Sequence, residues 1–386
     1  MNSNSDDIIY YNLTIGTTNG DTSGILYKDT AFKASATINN NQPIVADPSQ
    51  YYCSIIRLLF PGYSIPLINF DIQAPYVQLP DPPLPAPPLP KAYNNGIYSF
   101  TLTYGATSSS QVFYQYVPSV EIFTPPPLNS LTQDFTTGYY NIYDYDHIIK
   151  IMNTALETAF NELKGLVSAI AAAQVPFFVF NHDTSKIDLY ADKAFFDEAL
   201  ATPIRIYFNS PSYIYMKGFY YISESVNQPQ GRDNYFVIDS NHTLNDRTIG
   251  ATTYVMMSQQ YISLQYMSPL KSILVATTMN IRPESYNIAV PDSIQNVGYS
   301  GIMTDYCPDV SQPIAGISSY KFIYNATSLY RVFEFYQRSP IYNIQAALFW
   351  SDNNGQTYPL YIPRGQLVDI KFMFIKKSIF TPNQLL

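Results

Sequence analysis

The apolar and polar residues of this chain follow two different textures. Up to residue 117, short runs rich in Ile, Tyr, Leu and Phe are separated by Gly, Pro and Asn, which is the pattern of strands joined by tight turns. Ile8 to Thr17 predicts a strand with a hairpin signal behind it at Asn19-Gly20. Ile25 to Ile38, Tyr51 to Phe60 and Ile65 to Ile72 predict further strands, the second of these stopped by Pro61-Gly62. Strand character resumes at Ile97 to Tyr104 and at Gln111 to Val117. Past Pro125-Pro126-Pro127 the period changes. Tyr145 to Ala173 places apolar residues at 148, 152, 155, 156, 159, 163, 166, 167 and 170, tracing one helical face. Asp144 or Asp146 stands where a cap is needed, and Pro176 follows the end.

Strands return at Phe177 to Phe180, Lys186 to Tyr190, Ile204 to Phe208, Tyr213 to Ile222, Tyr235 to Ile238, Thr253 to Ser258, Ile262 to Tyr266 and Ser272 to Thr278. Pro283 to Asp292 reads as a connector. The last part carries strands at Tyr320 to Tyr324, Ile341 to Trp350, Tyr358 to Ile362 and Gln366 to Ile375, with a turn at Asp352-Asn353-Asn354-Gly355. The chain is mainly β. Counting strands before Pro118 and after about Met303 approaches the eight of a jelly roll, which neither part supplies alone. The economical topology is a single jelly-roll β-barrel made of residues 1–117 and 304–386. Residues 118–303 then form a large, mostly β insertion domain carrying the one long amphipathic helix. Two serial β domains are the alternative.

Proline-rich Pro75 to Pro90 lacks the N–H groups a central strand needs and predicts extended polyproline II. Two readings fit: a ligand for an SH3-type domain, or a stiff loop. Lys91 is the only nearby basic residue, which favours the loop.

Composition narrows the function. The net charge is −8 and no Lys/Arg run occurs, so the basic surface required for binding nucleic acid is missing. The N-terminus shows no basic flank with an apolar core, and the helix carries Lys150, Glu157, Glu162 and Lys164, so neither a signal peptide nor a membrane span is expected. Cys53 and Cys307 have no metal-ligand spacing and read as two buried free thiols, a single bridge being the alternative. The sequons at Asn12, Asn241 and Asn325 read as chance occurrences in an Asn-rich chain.

No chemistry is written in short motifs. His147, His182 and His242 lack second ligands at helical or turn spacing, and phosphate loops and nucleophile elbows are absent. His147, at a helix start, suits a neutral hydrogen-bonding role. Asp352 to Gly355 lacks the later carboxylates of a calcium loop. Two of the 29 acidic residues could form a glycosidase pair without leaving a motif, but nothing marks one. No catalytic residue, metal or cofactor is therefore expected. Tyr213, Tyr215, Tyr220 and Tyr221 form an aromatic group that suits either a glycan or partner contact or plain β-core packing.

Two stretches resemble the penton (minor capsid) proteins of virophages and related Polinton-like viruses. One is Tyr139-Tyr140-Asn141-Ile142-Tyr143-Asp144-Tyr145-Asp146-His147 running into Ile151-Met152-Asn153-Thr154-Ala155-Leu156, followed by Ile187-Asp188-Leu189-Tyr190 and Ile206-Tyr207-Phe208-Asn209. The other is Ala347-Leu348-Phe349-Trp350 with the Asp352 turn, Pro359-Leu360 and Ile370-Lys371-Phe372-Met373-Phe374. The resemblance implies a non-enzymatic capsid protein of the virion, assembled in the cytoplasm of an infected cell. It implies a homopentamer at the fivefold vertices, with double-jelly-roll major capsid (hexon) proteins as neighbours. A receptor- or glycan-binding β module is the other function class consistent with the chain.

Overall fold

A computed structural model describes residues 7–16, 31–70, 97–117, 141–224, 231–240, 245–279, 281, 298–307, 321–325, 332–335, 337–363 and 366–379. The Asn19-Gly20 turn, Pro75 to Pro90, Pro125 to Pro127, His242, the Asn241 sequon and the Pro283 to Asp292 connector lie outside them.

Two antiparallel sheets face each other in one half of the chain. The first runs Ile8–Gly16, Leu367–Lys376, Tyr51–Pro61, Lys321–Asn325, with Phe333–Glu334 also on Tyr51–Pro61. The second runs Gly301–Tyr306, Leu270–Thr277, Asn343–Asp352, Thr357–Pro359, with Ser35–Asn39 also on Asn343–Asp352. Taking the eight main strands in chain order, the sheets read 1-8-3-6 and 2-7-4-5, the double Greek key of a jelly roll. Alternation along each strand fills the space between the sheets. Val368, Ile370, Phe372 and Phe374 point inward from the last strand, against Cys53, Ile55, Leu58 and Phe60 and against Ile344, Ala346, Leu348 and Trp350. The sequons fall on edge strands here: Asn12 pairs with Lys371, and Asn325 with Arg57.

A second core belongs to residues 67–264. It is enclosed by a six-stranded sheet, a four-stranded sheet and the helix Tyr145–Leu166. The six-stranded sheet contains Ser99–Tyr104 and Ile204–Phe208 side by side, and the four-stranded sheet runs Phe177–Asn181, Lys186–Asp192, Thr252–Ser258, Asn245–Ile249. The helix follows its sequence signals at the start. Asp144 adopts extended backbone as N-cap and accepts from the Asp146 N–H, and Ile148, Met152, Ala155, Leu156, Ala159 and Leu163 are buried. It stops sooner than its pattern predicts: Leu166 is its last residue and is exposed, and a single 3-10 turn over Ser168–Ile170 follows.

These pairings move the expected cut points of 117 and 304. Ser99–Tyr104 pairs with Ile204–Phe208 of the inserted half, whereas Leu270–Thr277 lies between two host strands. Host core residues run from Leu13 to Ile65 and from Leu270 to Phe374, and the inserted core begins at Leu67 and ends at Leu264. The chain thus leaves the barrel between its third and fourth strands. Where it leaves and returns, the Ser268 hydroxyl donates to the Pro66 carbonyl at 3.2 Å, so the two crossings touch. Phe322, stacked on Phe60 at 5.5 Å, packs against both cores.

Three other expectations change. Tyr213 to Ile222 is not one strand. Asn209 and Pro211 start a 3-10 turn, Tyr213–Met216 forms a helical turn, and Gly218 takes φ +102 before Tyr221–Ser223. Ile262 to Tyr266 gives way to a 3-10 turn over Leu264–Met267. The cysteines are both free, but only Cys53 is buried; Cys307 is exposed.

Candidate functional site

Among the described residues, no group of three or more His, Cys, Asp or Glu is placed to hold a metal. The chain's polar side chains serve mostly to fix backbone. Buried Asn209 accepts from the Ser99 N–H at 3.1 Å and from Ser212 Oγ at 2.6 Å, tying the 210–216 turn to the central strand. Buried Gln259 donates through Nε2 to the carbonyls of Tyr215 and Lys217, both at 3.1 Å, and accepts from the Ile187 N–H through Oε1. Asp352 caps its turn by accepting from the N–H groups of Asn354 and Gln356, with Gly355 at φ +83. This is a hairpin turn.

The four tyrosines singled out by sequence do not share a face. Tyr215 is fully buried, its ring edge-on to Tyr98 at 4.9 Å, because residues two apart on a helical turn point in different directions. Tyr213 and Tyr220 are exposed. Tyr221 is half-buried and meets Tyr213 edge to face at 5.4 Å; its hydrogen bond with Tyr213, and next its desolvation, raise its phenol above the ordinary value. Ile214, Ile222 and Tyr261 are exposed nearby in the same segments.

Two polar features gave no sequence signal. On the outer face of the six-stranded sheet, Arg205 makes a two-pronged pair with Glu198 at 2.9 and 3.0 Å and lies over the Tyr235 ring at 4.9 Å. Tyr207 donates to Glu224 in the same cluster. Elsewhere a cavity of about 520 Å³ is lined by Asp192, Lys193, Asp246, Thr252 and Thr253. Its charges are already matched: Lys193 binds Asp246 at 2.6 Å, and Asp192 accepts from the N–H groups of Gln174 and Ala194. Neither feature offers an activated nucleophile or an unpaired acid and base.

The barrel presents a different kind of surface. On the outer side of its first sheet, Met373 and Ile375 form a small apolar cluster with Tyr52, Ile56 and Val332, and Ile8 and Tyr10 beside them are exposed. Basic side chains edge this face: Lys371 lies over Tyr10 at 4.8 Å and Lys377 over Tyr52 at 5.2 Å.

A family model described as Sputnik minor capsid protein V18/19 matches residues 9–376. The chain belongs to this family. Structural protein V19 of Sputnik virophage is 29% identical over 208 residues, covering 52% of this chain and 94% of that protein. Uncharacterized protein V18 of Sputnik virophage is 36% identical over 176 residues, 45% of this chain and 91% of its relative. A chain of the Sputnik virophage cryo-EM structure is 30% identical, with a TM-score of 0.68 over 97% of this chain and 99% of that one. The crystal structure of a mavirus penton protein has the same fold at 15% identity, with a TM-score of 0.55 over 96% of this chain and 99% of its own. The chain is therefore a structural, minor capsid protein of a virion, built mainly of antiparallel β-sheet with a jelly roll.

Proposed function

We propose that the chain is the non-enzymatic penton subunit of its shell, five copies closing a ring at each fivefold vertex. The observation that carries this is the single jelly roll interrupted between its third and fourth strands, over nearly the whole length shared with a mavirus penton protein. The host barrel, residues 8–65 and 270–376, joins the shell and meets the double-jelly-roll major capsid protein. The inserted unit, residues 67–264, stands away from it. Ile8 and Tyr10, exposed on the outer face beside buried Met373 and Ile375, belong to the surface that neighbours cover. Assembly takes place in the cytoplasm of the infected cell, without metal or cofactor and without contact to the genome, in keeping with the net charge of −8.

A fivefold ring is heterologous, joining two different faces of each subunit, so its growth does not stop at a dimer. Mass photometry across a concentration series is expected to show monomers giving way to a five-copy species. A dimer that persists with nothing larger would contradict the reading. A glycan array carrying the full chain tests the other function class. Strong binding through exposed Tyr213 and Tyr220, by a protein that never forms rings, would support an attachment module in place of a vertex subunit.

A further inference from the structure

Two of the chain's three histidines stand at the start of the long helix, next to the joint between the barrel and the inserted unit. His147 occupies the first turn, its N–H bonded to the Asp144 carbonyl. Its side chain is buried at 3% exposure, and Nε2 lies 2.7 Å from the Val117 carbonyl oxygen. A carbonyl only accepts, so Nε2 carries the hydrogen and the neutral ring keeps Nδ1 bare. Tyr116 packs against the ring at 5.5 Å and itself touches Phe70 at 5.9 Å. Three residues before the helix, Asn141–Ile142 pairs with Ile68–Asn69, the first residues after the chain leaves the barrel. His147 thus binds the end of the 97–117 segment to the element that anchors the inserted unit.

We propose that His147 is an acid-sensitive latch at this joint. Protonation of its ring drives the imidazolium out of the pocket, releasing Val117 and loosening the packing of the 97–117 segment on the start of the helix. The proton comes from solvent and adds to Nδ1, placing a charge on a ring that is 3% exposed. An imidazolium here also faces the positive end of a 22-residue helix. Burial is the main cause holding the His147 ring below its ordinary value, and Lys150 acts the same way; the Val117 carbonyl and Asp144 oppose them. His182 lies across from Asp146 at 3.2 Å, with both side chains more than half exposed. Asp144, buried in part, also holds its proton more tightly than an ordinary carboxyl.

The sign follows from linkage. The folded ring titrates below the unfolded one, so the unfolded chain binds more protons between the two values. Stability is full above the ordinary histidine range and falls as pH drops through it toward the lower folded value. Each unit of depression is a factor of ten in the folding equilibrium.

Thermal melts of the full chain at pH 7.5, 6.5 and 5.5 test this, alongside His147→Gln, which keeps an N–H donor but cannot titrate, and His182→Gln. The wild type and His182→Gln are expected to lose several degrees on acidification while His147→Gln stays flat. Protection of amides 112–117 and 141–149, measured against the intrinsic exchange rate at each pH, is expected to fall about tenfold in the wild type and His182→Gln and not in His147→Gln. An acid loss in His147→Gln equal to that of the wild type would overturn the proposal and assign the effect to other groups, Asp144 excepted, because a carboxyl that holds its proton more tightly when folded gains stability in acid. NMR titration of the three histidines in the wild type keeps the test open even if the variant does not fold. A His147 ring that titrates at or above the ordinary value, or that charges without faster exchange at its joint, would also overturn it.

Discussion

Deleting residues 66–269 and joining Ile65 to Leu270 through a Gly-Ser linker should leave a soluble, cooperatively melting barrel. The structure sets the size of the effect. The bond from Ser268 to Pro66 joins two residues that both leave with the deletion, so the cost to the barrel is the cover that Phe322 loses, roughly 1 kcal/mol. Against this, shortening a connection of about 200 residues to about six lowers the closure entropy by about 3 kcal/mol in the ideal-chain limit. The balance is a gain of about 2 kcal/mol at most, so the melting temperature should match the barrel transition of the full chain or exceed it by up to about 8 °C. A control that joins Val117 to Thr304 should aggregate. It removes Leu270–Thr277, the strand between Gly301–Tyr306 and Asn343–Asp352, and exposes Phe70, Tyr98, Phe100, Leu102 and Tyr114, each worth about 2 kcal/mol of lost burial. Circular dichroism and size exclusion read both fusions. A soluble control beside an insoluble 65–270 fusion, across several linker lengths, would refute the division.

Leu156→Asp puts a charge into the buried face of the helix and should cost about 4 kcal/mol, whereas Glu157→Gln on the exposed face should stay within about 0.5 kcal/mol; equal denaturant midpoints would mean the stripe is not core. Glu162→Gln should fall between them, up to about 1 kcal/mol, because its carboxylate accepts from the Ser110 N–H at 2.9 Å and Oγ at 2.6 Å. Gln259→Leu leaves the bonds to Ile187, Tyr215 and Lys217 unmade and should lower stability by about 3 kcal/mol in a urea melt. EDTA should leave the melting temperature unchanged; a drop of many degrees would reveal a metal site.

Local pattern was legible in this sequence and partnership was not. Val368 to Phe372 alternates so cleanly that one inward face is readable without a structure, and Asp144 with the 3.6-residue period marks where the helix begins. Asn245–Ile249 escaped notice because it is an edge strand of mostly polar, exposed residues with no apolar period to see. The limits of the inserted unit are hidden in the sequence for a related reason. Ser99–Tyr104 has the same composition as a host strand, and only its long-range register with Ile204–Phe208 assigns it to the inserted sheet. At Tyr213 the aromatic, β-branched residues suggested a strand, but Pro211, the Asn209 cap and Gly218 bent the chain into a turn that buries Tyr215. Fivefold symmetry has no local signature at all; it entered through the family resemblance.

Negative-stain electron microscopy of the purified full-length chain tests the vertex assignment most directly, because ring symmetry is visible at low resolution. Class averages are expected to show five-membered rings of the 43.7 kDa chain, about 220 kDa in all, populated increasingly with protein concentration. Rings of three or six subunits, or a twofold dimer with no higher species at any concentration, would contradict it.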